Sequence, residues 1–449
     1  MASSDHDTDV LIVGAGMSGI AAAWALRKAG IRTILLEARP RIGGRIWSST
    51  KWKDLPVDLG ASWVSHATFN PLVDIAREHS IKLAPSDLFN IALFPSRGDG
   101  TPLPGEEVDR LQTLFFGAYA EVKIEGERRR KRGRPDKALS EVFPKVIDDL
   151  KLPKAKKRAV EYFLNMAVTE PYATDLDDLS FYNWDDDETL LSLQLFVVPD
   201  GYVKIAEVLA KRLDIRKEHV VSRIRRDGDG VLIKTNRGDF RAPYAVVTLP
   251  HGVLRKGSVK FSPPLPPWKQ EAIKRIHTGL SNKFWFRFPT KFWKSDKDIL
   301  GRIDPDGQGR WSTWINASKF AKFPLLMCFN RTEHAEALEK MSDAEVIQEA
   351  MQVLRGAYGE NIPEPVAMQR SHWGVDPFAE GTLPHLPVNA SSEDHRTLAR
   401  PVGRLRFAGD STHAELPGLV LGAFLTGLRE AEKLIGLFAI ERRSATPAE

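Results

Sequence analysis

The chain has 449 residues, of which 42% are hydrophobic and 27% are charged. This length and apolar content are ample for two domains with buried cores. The single cysteine, Cys328, excludes an intrachain disulfide bond, and no apolar run approaches the roughly 20 residues that a membrane-spanning helix needs.

The two ends of the sequence carry no recognisable targeting signal. The first residues, MASSDHDTD, are polar and acidic, unlike a secretory signal peptide. The last residues, RRSATPAE, are neither a membrane tail nor a peroxisomal Ser-Lys-Leu ending. We therefore expect a cytoplasmic protein without a membrane anchor.

The first predicted elements form a strand–helix–strand unit. They are a buried strand over Asp9–Val13, a helix over Ile20–Lys28 and a second strand over Ile31–Leu36. Three glycines with GxGxxG spacing separate the first strand from the helix: Gly14, Gly16 and Gly19. Glu37 ends the second strand, close to where an acid accepts hydrogen bonds from the adenosine ribose. Together these features predict a dinucleotide site with the pyrophosphate at the helix N-terminus.

A second motif follows the acid directly. Glu37 is followed by the residues ARPRIGGR, which run from Ala38 to Arg45. Gly44 would let the chain pass under a pyrophosphate, and the Arg45 guanidinium would lie near phosphate oxygens. This run resembles the second signature of the glutathione-reductase-like FAD proteins, especially the flavin amine oxidases.

Further elements are predicted along the rest of the chain. They are helices around Lys145–Met166, a strand in the run SNKFWFRF that contains Lys283, a buried strand around Cys328, and an apolar helix that begins near Gly418–Val420. The last of these, close to the C-terminus, has the spacing of a buried helix.

From these motifs the chain resembles the flavin-containing amine oxidases almost from end to end, most closely the plant-type polyamine oxidases. The matching segments are PVDLGASWV (Pro56–Val64), the V-x-x-I pattern in His219–Ile224, YAVVTLPHGVL (Tyr244–Leu254), Phe261–Trp293, Trp373 and the FAGD…GLVLGA run. The resemblance implies an α/β fold: an FAD-binding, Rossmann-like (glutathione-reductase-like) domain with an inserted α+β substrate domain. Residues 1–85, 200–260 and 395–449 are expected to form the FAD domain, and 86–199 and 261–394 the substrate domain.

The resemblance also assigns roles to individual residues. Lys283 matches the lysine that holds a water against flavin N5, and it is the one expected catalytic side chain. The expected cofactor-binding residues are Gly14, Gly16, Ser18, Gly19, Glu37, Ala38, Arg39, Gly44, Arg45, Gly60, Ala61, Ser62, Trp63, Val221, Trp373, Gly409, Asp410, Leu419 and Val420. The expected substrate contacts are Leu383, Leu419, Glu170 and His66. No metal site is expected, since no His/Cys cluster has metal-ligand spacing.

The sequence departs from the family pattern at three places. Leu383 and Leu419 stand where the family usually has two aromatic side chains around the substrate. Asp410 replaces the family's glutamate. Between Trp373 and Thr382 there is no cysteine of the kind that attaches flavin covalently in some members, so FAD is expected to bind non-covalently.

The reaction that the resemblance implies is oxidation of an amine to an imine, which hydrolyses to a carbonyl compound while O₂ is reduced to H₂O₂. Without ring faces to attract a cation, the site favours a long or bulky aliphatic primary amine. A polyamine is the alternative substrate. A flavin dehydrogenase or desaturase that acts on a non-amine is the alternative of another class.

One strongly basic run is left unexplained by this assignment. RRRKR, at 128–132, is typical of a nucleic-acid contact, a nuclear localisation signal, a membrane contact, or a solvated helix face or loop. The acids Glu125 and Glu127 and the absence of interleaved aromatics favour the solvated face. The expected partners are therefore a small amine and O₂, with no nucleic acid and with a homodimer as an open option.

Overall fold

The structure is a computed structural model that describes residues 6–65, 68–185, 195–228 and 230–445. Its strands are β1 Val10–Val13, β2 Thr33–Leu36, β3 Ser48–Ser49, β4 Val57–Asp58, β5 Trp63–Val64, β6 Ala84–Ser86, β7 Ile91–Phe94, β8 Leu195–Val197, β9 Asp214–Arg216, β10 Val221–Asp227, β11 Gly230–Thr235, β12 Gly238–Ala242, β13 Tyr244–Val247, β14 Lys260–Ser262, β15 His277–Gly279, β16 Ser281–Arg287, β17 Ile299–Arg302, β18 Thr313–Asn316, β19 Leu325–Arg331, β20 Ala367–Arg370, β21 Leu383–His385 and β22 Leu405–Phe407. Its α-helices are α1 Met17–Lys28, α2 Pro71–Glu78, α3 Gly105–Lys131, α4 Phe143–Asp149, α5 Lys154–Leu164, α6 Glu170–Tyr172, α7 Val203–Ala210, α8 His251–Lys256, α9 Pro267–Arg275, α10 Thr332–Lys340, α11 Asp343–Tyr358, α12 Ser392–Ala399 and α13 Val420–Ala445.

A five-stranded parallel sheet, in the order β22-β13-β1-β2-β9, brings together strands from both ends of the chain. The four residues of β1 and the four of β13 are all buried. Val10 and Ile12 pack into one apolar cluster while Leu11 and Val13 pack into another, so both faces of the sheet are covered. This explains the continuous apolar run at the N-terminus, which is typical of central parallel strands.

Helix α1 connects β1 to β2 and packs against α13. Where the two helices meet, Gly427 lies so close to α1 that a Cβ atom there would be 2.2 Å from the carbonyl oxygen of Ser18. The predicted strand–helix–strand unit is confirmed, as is the predicted C-terminal helix, which begins at Val420.

A six-stranded mixed sheet, in the order β20-β16-β19-β18-β17-β7, forms the second large layer. Strand β16 lies between β20 and β19, and its residues alternate between two faces. Phe284 and Phe286 enter a buried cluster on one face. Lys283 and Trp285 are on the opposite face, paired with Phe329 and Met327 of β19. The predicted strand around Lys283 is confirmed, and Cys328 is buried in β19 as expected.

The helical part of the chain differs in detail from the prediction. The helices expected around Lys145–Met166 are α4 and α5, and a π-helical turn, Asn165–Thr169, continues α5 up to Glu170. Most of the basic run, 128–131, forms the last turn of the 27-residue helix α3. Within the described ranges, no helix has both the length and the apolar character needed to cross a membrane.

Candidate active site

The glycine-rich turn after β1 brings the backbone close to helix α1. A Cβ atom on Gly19 would lie 2.0 Å from the carbonyl oxygen of Gly14, so only glycine permits this contact. A Cβ atom on Gly16 would meet only the Cα of Gly44, at 3.9 Å. Gly16 is also the N-cap of α1 and provides no capping side chain. The helix N-terminus therefore faces an open cradle of the kind that binds a pyrophosphate.

Glu37 lies at the carboxyl end of β2 and is buried. Its two carboxylate oxygens accept hydrogen bonds from the backbone N–H groups of Ala15 and Arg39, each at 2.8 Å. Desolvation raises the pKa of this carboxyl group, and the two backbone donors partly offset the rise. The N–H of His219 donates to the Glu37 carbonyl oxygen at 2.8 Å, which brings the segment leading to Val221 beside the acid.

Arg39 joins this end of the site to a loop far away in sequence. Its guanidinium makes a two-pronged ion pair with Asp376, at 2.6 and 2.9 Å. The two side chains are only 12% and 16% exposed, so solvent screens the pair weakly. Ala38 lies half-buried between Glu37 and Arg39. Asp376 was not predicted from the sequence, because only the fold brings its loop to Arg39.

Arg45 and Asp410, two predicted cofactor residues, form an ion pair with each other. Arg45 also donates to the carbonyl oxygen of Thr382. The other carboxylate oxygen of Asp410, Oδ2, is buried and has no hydrogen-bond partner among the described residues. A buried acceptor of this kind fits a hydroxyl group of a ligand.

The next contact links the two chain ends. The N–H of Gly409 donates to Thr426 Oγ1 at 3.0 Å, and Ser18 Oγ lies 3.4 Å from the same hydroxyl. Ser18 is in the first turn of α1 and Thr426 in the second turn of α13, so these two turns meet beside Gly409.

Three side chains hold the segment from Asp58 to Ser62. The indole N–H of Trp285 donates to the Asp58 carbonyl oxygen and that of Trp373 to the Leu59 carbonyl oxygen, both at 2.9 Å. Lys283 Nζ donates to the Gly60 carbonyl oxygen and to Ser62 Oγ. A Cβ atom on Gly60 would lie 1.8 Å from the Arg45 carbonyl oxygen, and the N–H of Ala61 donates to that same oxygen at 3.1 Å.

The ammonium group of Lys283 is buried and flanked by rings. It lies 5.2 Å from the ring centroid of Trp63 and 5.5 Å from that of Phe329. Burial lowers the pKa of Lys283, whereas the negative charge of Asp58 raises it. For the acid Asp58 the effect is opposite: burial raises its pKa, and the positive charge of Lys283 counteracts that rise. Asp58 is thus a second buried charge at this site that the sequence reasoning missed, although an acid inside the apolar run PVDLGASWV is a visible signal.

The predicted substrate contacts fall into two groups. Leu383 and Leu419 are both half-buried; Leu419 follows Gly418 in the chain, and a Cβ atom on Gly418 would be 3.1 Å from Leu383 Cδ2. They therefore adjoin the start of α13 at Val420. Glu170 is in α6, which packs against β21, and it accepts a hydrogen bond from Thr313 Oγ1 at 2.8 Å. His66 lies outside the described residues.

Glu170 is half-buried on the side of the sheet that carries Lys283. Its hydrogen-bond donor, Thr313 in β18, is on the same face as Ile315, which pairs with Met327 of β19. Desolvation raises the pKa of Glu170 to about 7, with Arg331 and Thr313 opposing the rise. Arg331 was not predicted from the sequence; its positive charge acts to lower the pKa of Glu170.

A small cavity lies between the 55–63 segment and the six-stranded sheet. Its walls include Asp58, Ser62, Trp63, Trp285, Ile315 and Met327. Apart from Asp58 and Ser62 these walls are apolar. The cavity thus extends from a hydrogen-bond partner of Lys283 into the apolar face of the sheet.

These observations fit FAD. The uncapped N-terminus of α1 suits a pyrophosphate, the buried Glu37 carboxylate suits ribose hydroxyls, and the unpartnered Asp410 Oδ2 suits a hydroxyl of the ribityl chain. Val221 is two residues after His219, whose N–H donates to the Glu37 carbonyl oxygen, so its segment runs beside the acid. The stretch between Trp373 and Thr382 contains no cysteine, so it offers no thiol for covalent attachment.

The chain is similar to several characterised proteins. It is 33% identical to polyamine oxidase 2 of Arabidopsis thaliana over 94% of this chain and 87% of that protein. It is 32% identical to lysine-specific histone demethylase 1 homolog 1 of the same plant over 98% of this chain, but it spans about half (53%) of that protein's length. The structure also superposes on cyclohexylamine oxidase of Brevibacterium oxydans with a TM-score of 0.75 at 20% identity, covering 96% of this chain and 100% of that one.

A family model described as "Flavin containing amine oxidoreductase" matches residues 17–435, which include α1, the Lys283 strand and most of α13. The likeness to the oxidase structure shows the same α/β fold, as predicted. The chain therefore belongs to the family of flavin-containing amine oxidoreductases.

Proposed function

We propose that this chain is an FAD-dependent amine oxidase that converts a long or bulky aliphatic primary amine to an aldehyde. Bound FAD would supply the oxidant, taking a hydride from the carbon next to the amine nitrogen and passing the two electrons to O₂. Written in full, the amine, O₂ and water give the aldehyde, ammonia and H₂O₂. The chain's own residues would bind the amine, exclude water from it and hold one water at Lys283.

The observation that carries this proposal is the position of Lys283. Its ammonium group is buried against Gly60 and Ser62, in the segment that is expected to pass the flavin ring. With the cofactor bound, the same ammonium would hold a water at flavin N5. We assign Lys283 no role in proton transfer, because its remaining contacts are with ring faces and with the charge of Asp58.

The flavin-binding roles follow from the same geometry. We propose that the open turn at Gly14, Gly16 and Gly19, together with Ser18 and Gly44, holds the pyrophosphate, while Glu37 and Val221 hold the adenosine. Arg45, Gly409 and Asp410 would hold the phosphate and ribityl end. Ala61, Ser62, Trp63, Trp373, Leu419 and Val420 would surround the ring.

The aliphatic side chains of Leu383 and Leu419 favour an aliphatic substrate. A primary amine has a pKa near ~10, like that of lysine, and must lose its proton before a hydride can leave. An apolar wall disfavours the charged ammonium and so promotes that loss. Two leucines also provide no ring faces to hold a cation or to stack on an aromatic substrate.

The surroundings of Glu170 argue against a polyamine. A polyamine would need an ionised carboxylate for its distal ammonium, whereas desolvation raises the pKa of Glu170 to about 7, so ionising this group has a free-energy cost that the bound cation would have to offset. Its carboxylate is already bonded to Thr313 and lies in the field of Arg331. A second cation there would meet the repulsion of the arginine.

Polyamine oxidation remains the second candidate. It is favoured by the 33% identity to polyamine oxidase 2 over 87% of that protein. The two candidates differ in what Glu170 does, since only a polyamine needs its charge.

A substrate panel distinguishes the candidates. Purified, FAD-loaded protein would be supplied with long-chain and cyclic alkylamines, benzylamine, spermidine, spermine and a methylated-lysine peptide, with H₂O₂ and ammonia measured together. We expect kcat/KM for the best alkylamine to exceed that for spermidine by at least about 10-fold. Faster turnover of spermidine or spermine would establish the polyamine candidate. Oxidation without any H₂O₂ would indicate a dehydrogenase.

The partners that this proposal needs are a small amine and O₂, and a homodimer stays a prediction. We propose the cytoplasm as the compartment, in keeping with the single cysteine, which is buried in β19.

A further inference from the structure

Two histidines and an aspartate meet at a place that the proposed oxidation does not use. Asp178 ends a short 3₁₀ turn, Leu176–Asp178. His277 and His385 lie directly opposite each other in the antiparallel pair β15–β21. Both carboxylate oxygens of Asp178 lie 2.9 Å from His277 Nδ1, and one of them lies 2.8 Å from His385 Nε2. Three distant segments therefore direct one nitrogen or oxygen ligand each at a common point.

The spacing of these atoms suits a metal ion. The three ligand atoms all lie within 4.8 Å of one another. Tetrahedral Zn²⁺ binds imidazole nitrogen and carboxylate oxygen at about 2.0–2.2 Å, which separates neighbouring ligand atoms by roughly 3.3 Å. The two N···O distances would have to lengthen by only a few tenths of an ångström.

The protonation states suit it as well. Burial lowers the pKa of His385, despite the opposing charge of Asp178. Desolvation acts to raise the pKa of Asp178, but hydrogen bonds from His277 and His385 outweigh it and hold that pKa well below the usual range. A neutral imidazole and an ionised carboxylate are the forms that bind metals.

Access and support for the ligands are also present. The side chains of Asp178 and His277 are 43% and 30% exposed, so an ion can reach the site and keep a water as its fourth ligand. His385 is buried, and its Nδ1 has no hydrogen-bond partner among the described residues. A small cavity lined by His385, His395 and Tyr172 adjoins it and offers room for the water that would fix the ring's tautomer.

We propose that Asp178, His277 and His385 form a zinc site that clamps the 176–178 turn to the β15–β21 pair. The two-imidazole, one-carboxylate set suits Zn²⁺ and excludes Mg²⁺ and Ca²⁺, which prefer oxygen ligands. Leu383 is in the same three-residue strand as His385 and on the same face, so the clamp would also fix one wall of the candidate substrate site.

The proposal is tested by zinc binding to the FAD-loaded full chain after dialysis against EDTA. Isothermal titration with ZnCl₂ is expected to show one strong site per chain, and MgCl₂ none. His277→Gln and Asp178→Asn are expected to weaken zinc binding by about 100-fold. Both residues are partly exposed, so these variants should fold. His219→Gln, at a half-buried histidine outside the cluster, is the matched control and should bind zinc like the parent.

A second readout is thermal stability. Excess ZnCl₂ is expected to raise the Tm of the parent and of His219→Gln, because a ligand that binds only the folded chain stabilises it. It should leave the Tm of His277→Gln unchanged. Zinc binding of equal strength in the parent and in His277→Gln, or no zinc binding in the parent, would overturn the proposal. Neither readout depends on amine oxidation.

Discussion

Lys283 donates a hydrogen bond from its buried ammonium group to the carbonyl oxygen of Gly60. The contact joins strand β16 of the six-stranded sheet to the segment from Asp58 to Ser62. Asp58 lies in the same segment and carries the opposite charge, and each group counteracts the effect of burial on the other's pKa. These partners therefore fix the position of the Lys283 ammonium group before a flavin binds.

The first prediction concerns this lysine. Lys283→Met keeps an unbranched side chain that is one heavy atom shorter and removes its charge and donors. We expect reduction of the flavin by an amine to continue, while reoxidation by O₂ slows by roughly 100-fold because the ordered water is lost. Stopped-flow absorbance would measure the two half-reactions separately.

The control for that prediction is Lys256→Met, which removes an exposed lysine paired with Glu380. It should leave both half-reactions unchanged. Reoxidation at the parental rate in Lys283→Met would show that this lysine has no role at N5.

The second prediction concerns the aliphatic walls. The double variant Leu383→Phe, Leu419→Tyr places aromatic side chains at the two positions where the family resemblance leads us to expect them. We expect kcat/KM for the long alkylamine to fall and that for benzylamine to rise, shifting their ratio by about 10-fold, since a change in pocket contacts is worth about 1–3 kcal/mol. Leu383→Met, which keeps the volume and the aliphatic character, should preserve the ratio. An unchanged ratio in the double variant would place these residues outside the substrate site.

The third prediction concerns Glu170 and pH. Its pKa is raised from 4.5 to about 7 in the folded chain, so the folded chain holds a proton that the unfolded chain releases. The stabilisation is complete below the unfolded pKa and is lost as the pH rises through the folded one. Between the unfolded pKa of 4.5 and the folded pKa of about 7, the free energy of unfolding should fall by about 3 kcal/mol because of this group.

Glu170→Gln mimics the protonated form and should remove that part of the pH dependence. Tm measured across the window would show a smaller fall for the variant than for the parent. Glu393→Gln, at a side chain that is 70% exposed, should follow the parent. Parallel curves for Glu170→Gln and the parent would contradict the raised pKa.

The fourth prediction concerns the ion pair between Arg39 and Asp376. Asp376→Asn removes the charge that orients Arg39 beside Glu37, and we expect FAD to bind about 10-fold more weakly, or about 1.4 kcal/mol. Fluorescence titration of the apoprotein with FAD would measure this. Asp54→Asn breaks a pair of the same two-pronged geometry, with Arg287, at a more exposed position, and it should bind FAD normally. Equal affinity in both variants would show that the Arg39 pair does not support the cofactor.

Much of the cofactor half could be predicted because its signals are local. The first helix begins at Met17, three residues before the predicted start at Ile20, because the glycine turn leads straight into it. The second strand begins at Thr33, later than the predicted Ile31, because the N–H of Ile31 still bonds to Leu26 in the turn that ends the helix.

What could not be predicted depends on long-range contacts. The pairing of Lys283 with Gly60 spans 223 residues, and that of Asp178 with His385 spans 207. No periodicity or spacing in one sequence brings such residues together, since the sheet and strand pairings decide it. The hydrogen bond between Thr313 and Glu170, across 143 residues, has the same origin, and the domain boundaries stay a prediction.

The central claim is that this chain oxidises amines at a bound flavin, with a preference for aliphatic ones. Its most direct test is the visible spectrum of the purified protein, mixed without oxygen with the amine panel. We predict a flavin spectrum that long or bulky alkylamines bleach fastest. A flavin spectrum that no amine bleaches, or a colourless protein that FAD cannot reconstitute, would contradict the account.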